Sequence, residues 1–238
     1  VRSIPGISCA VPVCWHTSEN CFSSHPIKIH GIRRKRQIWH KLKEFKNNYT
    51  IMEQKFKIGV IGLGYVGFPL ACLFAKKYPV IGYDINKRRI EDINAGVDST
   101  NEVTADALQS ALANGMVCTH QLDDLRKCNV YVVAIPTPVD DFYNPELLPL
   151  KNASETVGKV LKKGDYVIYE STVYPGVTEE ICAPILEGVS GLKLNEDFYL
   201  GYSPERINPG DRVHTVENIT KITSGSTPEA AEVIDNLY

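Results

Sequence analysis

The sequence predicts an α/β fold, a doubly wound, mostly parallel sheet with helices on both faces. Three observations predict it. Apolar runs of strand length alternate with segments of helical period. A Gly-x-Gly-x-x-Gly turn joins the first such run to the first such helix. An acid closes the next strand, so the unit strand, glycine turn, helix, strand, acid is complete within about 30 residues.

Residues 56–61, Phe-Lys-Ile-Gly-Val-Ile, read as a short buried strand. Gly62-Leu63-Gly64-Tyr65-Val66-Gly67 follows at once, and residues 68–77 read as a helix with Leu70, Leu73 and Phe74 on its apolar side. Residues 80–83 are the next strand, with Asp84 at its end. Each part has a physical task in holding a dinucleotide. Gly62 permits the tight turn, Gly64 lets a pyrophosphate approach the backbone, and Gly67 allows the helix to pack closely on the strand. The helix N-terminus offers free N–H groups and the positive end of its dipole. Asp84 is placed to accept hydrogen bonds from a ribose diol and would repel a 2′-phosphate, which favours NAD over NADP. Lys87, Arg88 and Arg89 just downstream work against that preference. The arrangement is a Rossmann-type dinucleotide site.

The remaining elements continue the alternation. Residues 130–135 form an apolar strand that runs into Pro136-Thr137-Pro138. A helix is expected over 150–163, closed by Gly164, then a strand over 166–169 followed by Glu170-Ser171-Thr172-Val173. A helix is expected over 177–187, with short strands over 198–201 and 219–223 and a last helix at the end of the chain. Ligands of such sheets lie off the carboxyl ends of the strands. Thr137, Thr172 and Glu205 each follow directly after an expected strand and should share one crevice with Gly62–Gly67. Each has a plainer reading: the threonines as loop caps, Glu205 as a solvated acid paired with Arg206.

Composition places a boundary near residue 52. The 238 residues are 43% hydrophobic and 23% charged with net charge −2, the values of a soluble globular protein. Residues 1–51 nevertheless hold nine Lys/Arg against two acids, a net +7 that leaves −9 for the remainder. Both tryptophans, Trp15 and Trp39, also lie before the boundary. The first segment lacks a sustained hydrophobic period before about residue 36 and is interrupted by Pro5, Pro12 and Pro26. Arg33-Arg34-Lys35-Arg36 reads either as a patch for nucleic acid or anionic membrane or as a solvated basic tail, and composition favours the tail. The −9 balance of the rest argues against a nucleic-acid partner. Cys9, Cys14 and Cys21 with His16 and His25 lack zinc-site spacing, so no metal is expected. Met52, followed at once by a polar lead into the first strand, marks residues 1–51 as an extension, non-native or disordered, and 52–238 as the folded domain. No window approaches 18 uninterrupted apolar residues, so no membrane span is expected, and a cytoplasmic location follows from the same reading.

Four landmarks, taken together and in order, carry a resemblance. They are Gly62-Leu63-Gly64-Tyr65-Val66-Gly67, Ile135-Pro136-Thr137-Pro138, Glu170-Ser171-Thr172-Val173 and Ser203-Pro204-Glu205-Arg206. Residues 56–238 resemble the amino-terminal part of the UDP-glucose/GDP-mannose dehydrogenase family. The stretch from Tyr202 to Gly210, with Thr223-Ser224-Gly225-Ser226-Thr227-Pro228, resembles the branch that oxidises UDP-N-acetylhexosamines for bacterial surface polysaccharides.

The resemblance implies an NAD-dependent enzyme that oxidises the C6 hydroxyl of a nucleotide sugar to a carboxylate, with two NAD consumed in succession. A cysteine thiolate captures the intermediate aldehyde as a thiohemiacetal, the second oxidation gives a thioester, and water hydrolyses it. By motif, Gly62, Leu63, Gly64, Tyr65, Val66 and Gly67 would hold the pyrophosphate, and Asp84 and Arg89 the adenosine ribose. Thr137 and Thr172 would lie against the cofactor. Thr172 would also position the hydrolytic water or help polarise the reacting oxygen, and Glu205 would assist proton transfer in thioester hydrolysis. Glu205, Arg206 and Asn208 would face the sugar nucleotide.

The family's nucleophilic cysteine, its catalytic lysine, its dimerising central helix and its UDP-binding domain lie beyond the equivalent of residue 238. Cys72, Cys118, Cys128 and Cys182 sit in helix or strand-flanking contexts and are expected in the core. The chain is therefore expected to be a fragment, monomeric where full-length members are homodimers, and inactive alone. The competing readings are a non-catalytic NAD-binding regulatory module and a UDP-glucose specificity.

Overall fold

The computed structural model describes residues 56–139, 141–206 and 220–238. The expectations for residues 1–51 lie outside the described residues.

Seven strands form one sheet: β1 (Ile58–Ile61), β2 (Val80–Tyr83), β3 (Val117–Thr119), β4 (Val130–Val133), β5 (Tyr166–Tyr169), β6 (Tyr199–Tyr202) and β7 (Ser224–Gly225). Their order is β3-β2-β1-β4-β5-β6-β7. All pairs are parallel except β6–β7, which is antiparallel. The helices are α1 (Gly67–Phe74), α2 (Lys87–Asn94), α3 (Ala105–Ala113), α4 (Leu148–Gly158), α5 (Ala183–Ser190) and α6 (Pro228–Leu237). The reversal of strand order lies between β1 and β4, the place where such sheets bind ligands.

Both β1 and β4 are buried at every position, as strands covered on two faces must be. One face packs Ile58, Val60, Val80, Val130 and Val132 under residues of α1, α2, α3 and α6. The other packs Ile61, Tyr131, Val133 and Tyr169 under α4 and α5. The doubly wound expectation is the observed architecture.

The differences are local. The strand expected over 219–223 is found at Ser224–Gly225, where it pairs antiparallel with β6 across Gly201 and Tyr202. The helix expected over 150–163 starts at Leu148 and ends at Gly158, and the one expected over 177–187 opens as a π-helical turn, Thr178–Cys182, before α5. The sequence analysis assigned no element to α2, α3 or β3. Their signals are caps rather than apolar runs: Asn86 accepts from the N–H groups of Arg88 and Arg89, and Thr104 accepts from Ala107. Among the described residues no helix is long and apolar enough to cross a membrane.

Candidate active site

The strands leave the sheet at one level. Past their last paired residues, the N–H of Gly62 donates to Tyr83 O (2.9 Å), Ala134 to Ile61 O (2.9 Å), Glu170 to Val133 O (2.9 Å) and Ser203 to Tyr169 O (3.0 Å). The segments after β1, β4, β5 and β6 therefore meet, and they border a cleft of about 490 Å³. The cleft brings together Gly62, Gly64, Tyr65, Val66, Asp84, Thr137, Thr172 and Glu205. Leu63, Gly67 and Arg89 are buried next to it. Arg206 is exposed, and Asn208 lies outside the described residues.

The three glycines differ in the way a phosphate cradle requires. Gly62 has φ +91°, and a Cβ there would stand 2.7 Å from the Ala134 carbonyl. A Cβ on Gly67 would overlap the Gly62 carbonyl oxygen at 1.9 Å, so only glycine lets α1 start against the turn. A Cβ on Gly64 would meet nothing within 4 Å; the space it leaves opens to the cleft. No side chain caps α1, whose N-cap is Val66, so its first-turn N–H groups have no side-chain acceptor. This is a ready site for an anion at a helix N-terminus, and the residues present fit a dinucleotide pyrophosphate.

Asp84 holds the turn from the side of β2. Its Oδ2 accepts from Leu63 N–H and its Oδ1 from Asn86 N–H, both at 2.8 Å. Ile85, 82% exposed, is an apolar surface beside it on the cleft wall. Arg89 lies beneath the turn and is 6% exposed. Its Nε donates to Leu63 O (2.8 Å), and its guanidinium pairs with Asp98 (2.8 Å), donates to Ser99 (3.0 Å) and covers the Phe68 ring. Its visible work is to brace the glycine turn from below. Hydrogen bonds from Thr100, Val103 and Arg89 outweigh the cost of burial at Asp98 and hold its carboxyl below the usual range.

The opposite wall is stitched by hydroxyls. Thr137 Oγ1 donates to Thr172 O (2.5 Å), while Ser171 Oγ donates to Ile135 O (2.6 Å) and accepts from Ile135 N–H (3.1 Å). Next to it lies a group of charges. Glu170, 1% exposed, binds Lys221 Nζ at 2.5 Å and accepts from the Tyr238 hydroxyl. Lys221 also stands 3.7 Å from Glu205. Burial pushes the Glu170 carboxyl above the ordinary range, against the pull of Lys221 and Tyr238. Among the described residues Lys221 is an ion partner of Glu205, and Arg206 contributes its backbone N–H to Glu205 Oε1 (2.6 Å).

Residues 56–238 match the UDP-glucose/GDP-mannose dehydrogenase family, NAD binding domain. The chain belongs to this family. A UDP-N-acetyl-D-glucosamine 6-dehydrogenase of Pseudomonas aeruginosa is 60% identical over 182 residues, which cover 76% of this chain and 43% of the relative. An enzyme of the same name from Salmonella typhi is 53% identical over 182 residues, covering 76% of this chain and 42% of that one. The solved structure of a UDP-D-ManNAc dehydrogenase from Pyrococcus horikoshii superimposes with a TM-score of 0.70 at 36% identity, over 76% of this chain and 44% of that one. The chain thus spans under half the length of the relatives it matches. As an NAD-binding domain of this family it takes NAD.

Sequence reasoning missed Glu170, Lys221 and Tyr238 as parts of this wall. Glu170 stood within a quoted motif, and a buried acid after a strand needs a counter-charge. Nothing local pointed to Lys221, 51 residues away. Cys72, Cys118, Cys128 and Cys182 are buried and free, as expected of core cysteines. Burial pushes the thiols of Cys72, Cys118 and Cys128 up to about 12, which leaves them protonated and unsuited to nucleophilic work.

Proposed function

We propose that this chain is the cofactor-binding part of a cytoplasmic enzyme that oxidises the C6 hydroxyl of a UDP-N-acetylhexosamine to the acid for surface polysaccharide synthesis. Its preferred substrate is UDP-N-acetylglucosamine. The observation that carries the reading is the shared cleft, in which a dinucleotide cradle faces Thr172 and Glu205. The 60% identity to a UDP-N-acetyl-D-glucosamine 6-dehydrogenase supports the choice of sugar.

Bound NAD supplies the hydride acceptor. The protein's own residues do the rest. Gly62, Gly64 and the start of α1 bind the pyrophosphate, and Asp84 accepts from the adenosine ribose. Arg89 holds the turn in shape through the Leu63 carbonyl. Thr137 keeps the Thr172 backbone in place so that the Thr172 hydroxyl can orient water. Glu205 takes the proton from that water as it attacks a thioester carried by a cysteine outside this chain. Arg206 and Asn208 face the sugar nucleotide. Alone, the chain forms no uronate and is monomeric, because the thiol and the dimerising helix belong to the remaining part of the family's fold.

Two measurements test this. The 238-residue chain should bind NADH more tightly than NADPH, and Asp84→Ala should shrink that ratio by about tenfold, the scale of one lost charge-assisted contact. Equal affinity for NADPH in the unmodified chain would contradict the role of Asp84. A chimera in which residues 56–238 replace the matching segment of the Pseudomonas aeruginosa relative should release two NADH per UDP-N-acetylglucosamine. A chimera that binds NADH yet oxidises only UDP-glucose would refute the choice of sugar.

A further inference from the structure

We propose that Lys221 is a positioning residue for Glu205: clamped between Glu170 and Glu205, its ammonium holds the Glu205 carboxylate on the cleft wall it shares with Thr172. The inference rests on the reading of Glu205 as the base for thioester hydrolysis and adds to it the group that aims the base.

Three segments distant in sequence converge here. Glu170 directly follows β5, Glu205 follows β6 and Lys221 leads into β7. The side chain of Lys221 is 8% exposed, unlike a surface lysine, and that of Glu205 is 11% exposed. Each Glu205 oxygen has its own neighbour: Arg206 N–H at 2.6 Å on Oε1 and Lys221 Nζ at 3.7 Å on Oε2. The Glu205 backbone N–H is tied to Glu170 O (3.2 Å), so the carboxylate is held at both ends. The Tyr238 ring lies 5.6 Å from the Lys221 ammonium and its hydroxyl donates to Glu170.

Among the described residues, the ionisable groups around the lysine are Glu170 from the segment after β5, Glu205 from the segment after β6 and Tyr238 past the end of α6; Lys76 and Lys77 past α1 and Asp235 on α6 line the groove on its outer side. One ammonium thus serves two carboxylates, with all three side chains largely buried. Glu170, closer and more buried, holds the larger share. Glu205 is thereby held on the cleft wall, where a general base must stand to reach its proton donor. Lysine suits this place because a point charge can serve two carboxylates at different distances.

The arrangement makes two predictions of opposite sign. The Glu205 titration is followed by carbon NMR of the intact 238-residue chain labelled at glutamate carboxyls, with Glu205→Gln as the assignment standard. Lys221→Met should raise the Glu205 midpoint by about one pH unit or more, because an opposite charge is lost. Lys221→Arg should restore it. Glu170→Gln should lower the midpoint, because Lys221 is no longer shared with Glu170 and the repulsion between the two carboxylates is lost. A residue that only supported the fold would not produce shifts of opposite sign. An unmoved Glu205 midpoint in the folded Glu170→Gln and Lys221→Met chains overturns the proposal, and if Lys221→Met does not fold, Glu170→Gln decides alone. NADH binding is measured beside each titration. Its absence in the unmodified chain would count against the proposed function and leave the titration result standing.

Discussion

The two walls of the cleft are built on different principles. The wall after β1 and β2 is backbone: a positive-φ glycine, a helix start without a side-chain cap, and a glycine whose missing Cβ leaves open space. The buried ion pair Arg89–Asp98 lies beneath the turn and not in the cleft. The wall after β5 and β6 is charge: Glu170, Lys221 and Glu205 drawn from three segments, with Tyr238 against them. The difference matches the tasks proposed for the two walls. A pyrophosphate is bound by fixed N–H groups and needs nothing to change protonation state. A proton transfer needs a group that can gain and lose charge, and burial beside a counter-charge tunes such a group.

The largest effect should come from filling the glycine wall. Gly67→Val places methyl groups where even a Cβ would overlap the Gly62 carbonyl, and the loss should be at or beyond the upper end of the usual overpacking cost, about 3 kcal/mol. Urea denaturation should show a sharply lowered midpoint or no folded baseline. A native-like midpoint would mean that α1 can start elsewhere.

Next is the ion pair beneath that wall. Asp98→Ala leaves the Arg89 guanidinium buried without its carboxylate, a change that costs about 3 kcal/mol or more in comparable pairs. Because Arg89 also holds the Leu63 carbonyl, NADH affinity measured at a temperature where the variant is folded should fall as well. Stability lost with affinity unchanged would separate the brace from the cradle.

Gly64→Ala sharpens the contrast with Gly67. The new methyl has open space, so stability should stay within about 0.5 kcal/mol of the unmodified chain. The same methyl stands where the pyrophosphate approaches, so NADH affinity should fall by about tenfold or more, equivalent to about 1.4 kcal/mol. Calorimetric titration with NADH, run beside thermal unfolding, separates the two.

The smallest effect is on pH dependence, and the two walls should differ in sign. The Asp98 carboxyl is held below its ordinary value of 3.8. Its contribution to stability is present above that value and is lost as pH falls through the depressed one. The Glu170 carboxyl is raised above its ordinary value of 4.5, so its contribution is present below 4.5 and fades as pH rises through the raised value. Asp98→Asn should therefore flatten the acid limb of a stability profile, and Glu170→Gln should flatten a decline on the other side of it. Slopes of the same sign in both variants would show that one of the two carboxyls has the opposite shift.

How much of this was legible in the sequence varies from element to element. The cradle was legible because its signals are local. Gly62, Gly64, Gly67 and Asp84 stand at fixed spacings around two strands and the helix between them; backbone sterics point to the glycines' tasks and a carboxylate's charge to that of Asp84. Helix α2 was not legible: in Lys-Arg-Arg-Ile-Glu-Asp-Ile-Asn only Ile90 and Ile93 are apolar, too few to set a period. Strand β3 is three residues long at the sheet edge and its first residue is exposed, so it left no buried run to read. The antiparallel β7 is only two residues long, and its pairing with Gly201 and Tyr202 depends on contacts no local pattern reports.

By itself, the sequence determined the central strands of the sheet, its glycine turn and the residues that follow those strands. Those follow from burial period, glycine conformation and helix dipoles, all short-range properties of the chain. Tertiary structure alone decided which charges meet. Glu205 faces Lys221 rather than the adjacent Arg206, and Arg89 points under the turn to Asp98 rather than into the cleft. An ammonium buried between two carboxylates is selected by the low dielectric and the fixed distances of a packed interior, and neither exists until strands 30 to 50 residues apart have been brought side by side.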